Sequence, residues 1–408
     1  MIKNYIIEIL IGAGVFLMLI YSSDPIIYPD SGRYLKGNLF DPPFYSSIIN
    51  IMLLTFNNLN SVIILQTLFI GLSIIYFVKT TSIKFNLNIS TKILVSLFLF
   101  LPTIQFYRHL LTEPFSYAFS LLFVSFVLKL IFNFNHKNLI WCSIFVILLL
   151  LVRNQFMFLY IVILLLYLGI FTLQNSKKTF TLLALSFLSI FLIHNGVVNL
   201  NKYFSKNSFE KKNLLNSNTG IFFFTYIDSI YISTNQDAKL FKNKNLSNTL
   251  TIIFKEMNER NALVKHYNGR GHFGLSFKDI DSYSQPLLEN LAKKENNDVV
   301  NLKKEISTKL IKANFKKYIK HIFKKSYDSS WLFVFVPFFM VIAGMRSFLK
   351  NKSCFSLFIT FISTFALANH SIVYLFGRVQ PRYFIYTDFM LLVIIFITFT
   401  ILLEKKIK

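Results

Sequence analysis

Cysteine is scarce, with only Cys142 and Cys354 in 408 residues. Both fall in or beside apolar runs, which excludes a disulfide framework and a Cys-rich metal site and leaves them as packing residues in the core or against lipid. No Walker A, HExxH or GxSxG pattern occurs, and the single GxGxxG match, "GRGHFG" at 269–274, stands alone in the long polar loop. Nucleotide-driven transport, dinucleotide chemistry, zincin hydrolysis and serine hydrolysis therefore lack their usual support. There is no internal repeat and no Pro-rich or Ser-rich linker. Acidic residues are few, 19 against 43 Lys and Arg, for a formal net charge of +24. In a soluble chain that excess would raise nucleic acid as a partner. Here the basic residues lie mostly between apolar spans and on one large loop, so anionic lipid headgroups and phosphorylated lipids are the expected counter-charges, and no nucleic-acid partner is expected.

What the chain has in abundance is apolar surface: 54% hydrophobic residues, 48 Phe and a mean hydropathy of +0.53. That is more than a soluble domain can bury and predicts an all-α polytopic membrane protein. The first apolar run has only Lys3 before it and no small-residue cleavage site after it, which predicts a retained membrane helix rather than a signal peptide. Taking about 17 to 25 apolar residues per crossing, spans are expected near 5–23, 60–79, 92–107, 112–133, 138–152, 154–173, 179–198, 330–348, 354–376 and 384–403. The piece "FYSSIINIMLLTF", 44–56, follows Pro42 and Pro43 and is too short to cross comfortably, so it is expected at the interface or as a re-entrant helix.

This arrangement divides the chain into an N-terminal membrane part (1–198) with a first outer loop at 24–59, a loop domain (199–329) and a C-terminal membrane part (330–408). With the N-terminus cytoplasmic, the inner segments carry Lys79, Lys84 and Lys92, then Lys129 and Lys137, Lys177 and Lys178, Arg346, Lys350 and Lys352, and the tail "EKKIK". That is a positive-inside pattern, with both termini cytoplasmic. The long loop is then outside, as a small α+β cap or a largely irregular cover. In its last part Leu302, Ile306, Leu310, Ile311, Phe315, Ile319 and Phe323 recur at helical spacing with Lys at other positions. This basic amphipathic helix either covers the loop's own core or lies on anionic headgroups.

The short polar clusters fall on the outer face in a fixed order: "PDSGRYL" and "DPPFY", then "LQTLF", "LLTEPFSYAFSLLF", "LLVRNQF" and, near the end, "QPRYFIYTDFMLL". Together they resemble the GT-C glycosyltransferases that use polyprenyl-phosphate sugars, the group that includes protein O-mannosyltransferases and the lipid A aminoarabinose transferases. The resemblance covers the membrane part of the chain and is weakest in the long loop. It implies an outer-face loop after the first helix bearing a catalytic aspartate, here Asp30. The chain departs from the frequent Asp-Glu pair of that pattern, with Ser31 after Asp30.

The chemistry follows from the substrate. A sugar on a polyprenyl phosphate already has a leaving group that departs as an anion, so the protein must supply one carboxylate base for an acceptor hydroxyl and cations for the phosphate. Asp30 is the expected base, and Arg382, Arg153 and Arg378 are the expected phosphate holders. Glu113 is expected to orient the acceptor or Asp30, and Asp41, held extended before Pro42, to have a positioning or turn role. Each has a plainer reading. Asp30 could open an Asx-type turn, Glu113 could complement a helix dipole, Arg153 could snorkel to headgroups, and Arg382 with Tyr383 could anchor the interface. Tyr34, Asp41, His109 and Tyr383 are the candidate substrate contacts, packing being the plainer reading of Tyr34. His109 and Glu113, spaced i, i+4, would share a helix face, but two ligands do not make a metal site and no cofactor is expected, a divalent metal being the alternative. The Lys, Asn, Ile and Phe bias points to a bacterial inner membrane. The competing functional class is an envelope polysaccharide polymerase or a lipid-linked sugar flippase. Against a transporter, mid-span positions are almost uniformly apolar and the charges gather on one rim.

Overall fold

Long apolar runs without internal helix breakers fold as helices because every backbone N–H and C=O is then paired within the segment. The structure, a computed structural model, describes residues 2–21, 24–28, 30–36, 41–204, 219–267, 272–330, 332–376 and 381–407. These residues are helical, with no strand beyond an isolated parallel bridge between Ile26 and His109. The chain divides into two compact units, one formed by Met1–Asn207, Phe335–Asn369 and Arg382–Lys408, the other by Ser208–Val334 and His370–Pro381.

The helices of the first unit begin with α1 (Ile2–Ile20), α2 (Ser31–Lys36), α3 (Pro43–Phe56), α4 (Asn60–Phe85), α5 (Ile89–Phe100), α6 (Glu113–Phe132), α7 (His136–Val152), α8 (Leu159–Gln174) and α9 (Lys177–Phe204). Asparagine does much of the punctuation. Of the six non-glycine residues with left-handed φ among the described residues, five are Asn, and Asn57, Asn86 and Asn175 close α3, α4 and α8. The short amide tolerates that region better than other side chains. Asn88 and Asn135 open α5 and α7 by accepting from the backbone N–H of Thr91 and Asn138.

The second unit holds α10 (Thr219–Ile232), α11 (Lys244–Glu259), α12 (His272–Lys294), α13 (Val299–Ala313) and α14 (Phe315–Ser330). The expectation of an α+β or irregular cover is corrected: the described residues of this unit are helical around their own apolar core, which includes Ile227, Ile230, Leu250, Phe254, Leu288, Ile306 and Leu310. Burial against α13 overrides the β-leaning composition of "IFFFTYIDSIYI" in α10. The chain ends with α15 (Leu332–Asn351), α16 (Cys354–Phe376) and α17 (Ile385–Ile407).

Among the described residues, six helical segments are long and apolar enough to cross a membrane: Asn60–Phe85, Glu113–Phe132, Asn154–Gln174, Lys177–Asn201, Leu332–Asn351 and Cys354–Leu375. The other four expected crossings appear as shorter apolar helices, Tyr5–Ile20, Ile89–Gln105, His136–Val152 and Ile385–Ile401. Two have visible causes. At Pro102 α5 tightens into a 3₁₀ turn, and α7 stops at Arg153, whose backbone is extended (φ −155°, ψ 130°). In α6, 83% of the apolar window is buried, against 17% in α9 and in α15, so α6 is a core helix while α9 and α15 present apolar side chains outward. At Gly344 of α15 the neighbour is backbone as well as side chain: a Cβ would meet Thr360 Oγ1 at 2.6 Å and Thr360 N at 3.2 Å.

Candidate functional site

Within the first unit, the loop after α1 and the corner before α6 are stitched together by backbone. Ile26 N–H donates to Arg108 O (2.9 Å) and Leu110 N–H to Ile26 O (3.1 Å), while Arg108 Nη2 donates to Asp24 O (2.6 Å). Gln66, buried in α4, donates to the carbonyls of Tyr107 and His109. Tyr28 N–H donates to Ser31 Oγ (2.9 Å), forming the turn that presents Asp30. On the far side of the sequence a 3₁₀ turn, Pro381–Tyr383, carries Arg382. Its Tyr383 carbonyl accepts from Gln155 Nε2 (3.2 Å) and Asn369 Nδ2 (3.0 Å). Four separate stretches of chain thus meet.

At their meeting point the charged side chains form one connected chain of ion pairs. Asp30 Oδ2 accepts from Arg382 Nη2 at 3.0 Å, and Asp30 Oδ1 lies 3.4 Å from Arg33 Nη2. Arg33 Nε continues to Asp41 Oδ2 at 3.5 Å. Glu113 Oε1 lies 3.5 Å from Arg382 Nε and 3.3 Å from Arg153 Nη1, so one carboxylate oxygen sits between two guanidiniums. The Arg153 guanidinium lies 4.5 Å from the Tyr383 ring centroid and that of Arg382 5.3 Å from the same ring. Three carboxylates and three guanidiniums balance.

Exposure separates their roles. The Asp30 side chain is 39% exposed, whereas Glu113 is 4% exposed and enclosed by its arginines. Glu113 can fix Arg153 and Arg382 but is closed to a hydroxyl from outside. Tyr45 Oη and Tyr386 Oη are buried without a hydrogen-bond partner, and Arg153 Nη1 and Arg382 Nε meet Glu113 at ion-pair distance without hydrogen-bond geometry. Tyr45 and Tyr386 both lie close enough to Glu113 to feel its charge. Buried polar atoms short of partners are costly, and the cluster holds both kinds, the acceptor Asp41 Oδ2 among them.

The remaining expectations fall out as follows. Tyr34 is buried and packs edge-on against Tyr45, and burial, reinforced by Asp41, pushes its phenol up to about 12. Burial raises the Asp41 carboxyl above its usual range, against the pull of Arg33. Burial also opposes the charge on Arg33, but Asp41 and Asp30 outweigh it. The shared helix face of His109 and Glu113 is corrected: α6 starts at Glu113, and His109 sits in the irregular corner before it, with Nε2 3.2 Å from Tyr28 Oη. Burial holds its imidazole below the usual range, against the pull of Glu113. Among the described residues no three of His, Cys, Asp and Glu come together. Arg378 lies outside the described residues.

Sequence reasoning missed Arg33, Tyr28, Gln155 and Asn369. A polar amide such as Asn369 inside an apolar run was the available signal, since Asn369, wholly buried, links Gln155, Tyr383 and Thr387. No protein-family model, no curated protein and no solved structure matches this chain.

Proposed function

We propose that this chain is an integral-membrane glycosyltransferase of the GT-C type, moving a sugar from a polyprenyl-phosphate donor to an acceptor hydroxyl on the outer face of a bacterial inner membrane. In this reading about ten helices cross, both termini are cytoplasmic and the 199–329 loop lies outside. The observation that carries it is the ion-pair chain joining Asp30, Arg382, Glu113 and Arg153, residues scattered across the sequence. The cluster offers what the chemistry requires: one reachable carboxylate, and two arginines held in place by a carboxylate that is not reachable.

The acceptor oxygen attacks the anomeric carbon as its proton passes to Asp30. The bond from that carbon to the phosphate oxygen breaks, and the electron pair leaves with polyprenyl phosphate, whose extra negative charge falls to Arg382 and Arg153. Asp30 accepts from the same Arg382 that would hold the phosphate. A donor phosphate competes for that guanidinium and frees Asp30 Oδ2 to take the proton, while Oδ1 stays beside Arg33. Binding is then ordered, donor before acceptor.

The test is to incubate purified protein with a panel of polyprenyl-phosphate sugars and measure release of polyprenyl phosphate in a single turnover. Asp30→Asn keeps the shape but cannot take the proton, so transfer should fall by roughly 10²- to 10⁴-fold with donor binding kept, while Asp41→Asn costs much less. No release from any donor would remove the class of reaction. Normal turnover by Asp30→Asn would remove the base.

A further inference from the structure

The apolar positions of the last loop helix, read from sequence as one continuous face, belong to two. At Asn314 the helix is interrupted. Asn314 is buried, with its Nδ2 donating to Asp237 Oδ1 (3.2 Å) and Leu310 O (3.3 Å), and it separates α13 from α14. Before it, Leu302, Ile306 and Leu310 point into the core of the second unit. After it the apolar positions turn outward: Phe315 is 58% exposed, Ile319 36%, Phe323 68% and Tyr327 59%. The rotation is fixed from the other side of α14, where Tyr318 is buried and His321 and Lys325 both reach the buried Asp228, at 3.0 and 3.1 Å. A stripe of four large apolar side chains at i, i+4 spacing, three of them aromatic, is therefore held facing away from its own core.

Two further facts select what covers it. Lys316 and Lys320 each follow a stripe residue by one position and flank it with the exposed Lys317, while Lys324 lies over the Tyr267 ring and Lys325 is held on Asp228. In addition, α14 ends at Ser330 and α15 begins at Leu332, so a single residue separates it from a helix apolar and long enough to cross a bilayer. Aromatic side chains with a basic flank, tethered that closely to a crossing helix, fit the boundary between acyl chains and headgroups. The geometry points to α14 lying in the plane of an anionic bilayer surface, Phe315, Ile319, Phe323 and Tyr327 inserted and the exposed Lys316, Lys317 and Lys320 on lipid phosphates. At about 1.5 Å per residue it covers roughly 24 Å of that surface. This inference does not depend on the transfer chemistry.

It is tested on the full chain, lacking Cys142 and Cys354, in nanodiscs of phosphatidylcholine with or without phosphatidylglycerol. An environment-sensitive fluorophore is attached in turn at Phe323→Cys, at Tyr327→Cys and, as a control, at Thr251→Cys on the exposed side of α11. In anionic nanodiscs positions 323 and 327 should emit at shorter wavelength and lose intensity when the lipids carry nitroxides high on the acyl chain, while 251 does neither. The double change Lys316→Glu, Lys320→Glu should return position 323 toward water-like emission. Water-like emission at 323 and 327 in anionic nanodiscs overturns the proposal. So does a short-wavelength emission that lipid nitroxides cannot quench, because a protein surface then covers the stripe, and so does quenching indifferent both to phosphatidylglycerol and to the lysine changes.

Discussion

At the scale of single residues, Arg382 does the most joining, because its two kinds of nitrogen reach two different acids: Nη2 reaches Asp30 and Nε reaches Glu113. A lysine has the charge without the fork and cannot serve both. Losing one hydrogen bond to a charged group costs about 1.5–3 kcal/mol, so Arg382→Lys should lower kcat/KM for the donor by roughly 10- to 100-fold. Thermal unfolding of the same sample shows whether the variant remains folded, and unchanged kinetics would make Arg382 an interfacial anchor. Glu113, Arg153 and Arg382 were legible in the sequence because each interrupts an apolar background, and Asp30, in a polar loop, through the family resemblance. Arg33 was not: it stands in the same loop, but nothing in its spacing says that it bridges Asp30 and Asp41. Gln155 and Asn369 were hidden for a related reason, since each acquires its purpose from a partner 214 positions away.

At the scale of helices, apolar run length located the elements well and their ends poorly. Breaks at Pro102 and Arg153 depend on local backbone geometry that hydropathy does not encode. The face reversal at Asn314 was equally invisible, because a periodic pattern continues through a kink without a change of phase. Close crossings are also silent in one sequence, and that of α15 on α16 can be tested. Gly344→Leu would drive a side chain into Thr360, including its backbone, and should cost about 1–3 kcal/mol. A lowered midpoint of thermal unfolding in detergent, with Gly344→Ala falling between the two, is the expected reading. An unchanged midpoint would mean that α15 and α16 do not approach so closely.

At the scale of the molecule, the orientation read from lysine placement is a separate proposition from the fold and needs its own measurement. In a background without Cys142 and Cys354, single cysteines at Ile27 and Thr251 should react with a membrane-impermeant thiol reagent added to sealed cells, and those at Ser90 and Lys178 should not. Labelling of Ser90 together with Lys178 would invert the arrangement. The sequence grouped the polar loops only by an expected face, and that four of them touch was not legible, because contact between distant segments is a property of helix packing. That distance also has a consequence in time. Asp30 and Arg382 are 352 positions apart, and at about 5–20 residues per second the ribosome delivers the second roughly 20 to 70 seconds after the first. Once Arg153 has been made, and until Arg382 follows, Glu113 has only one of its two arginines, and Asp30 has no grip on the turn before the last helix. The cluster closes only once Arg382 has been made, so a nascent chain interrupted before it lacks both the Asp30–Arg382 and the Glu113–Arg382 pair.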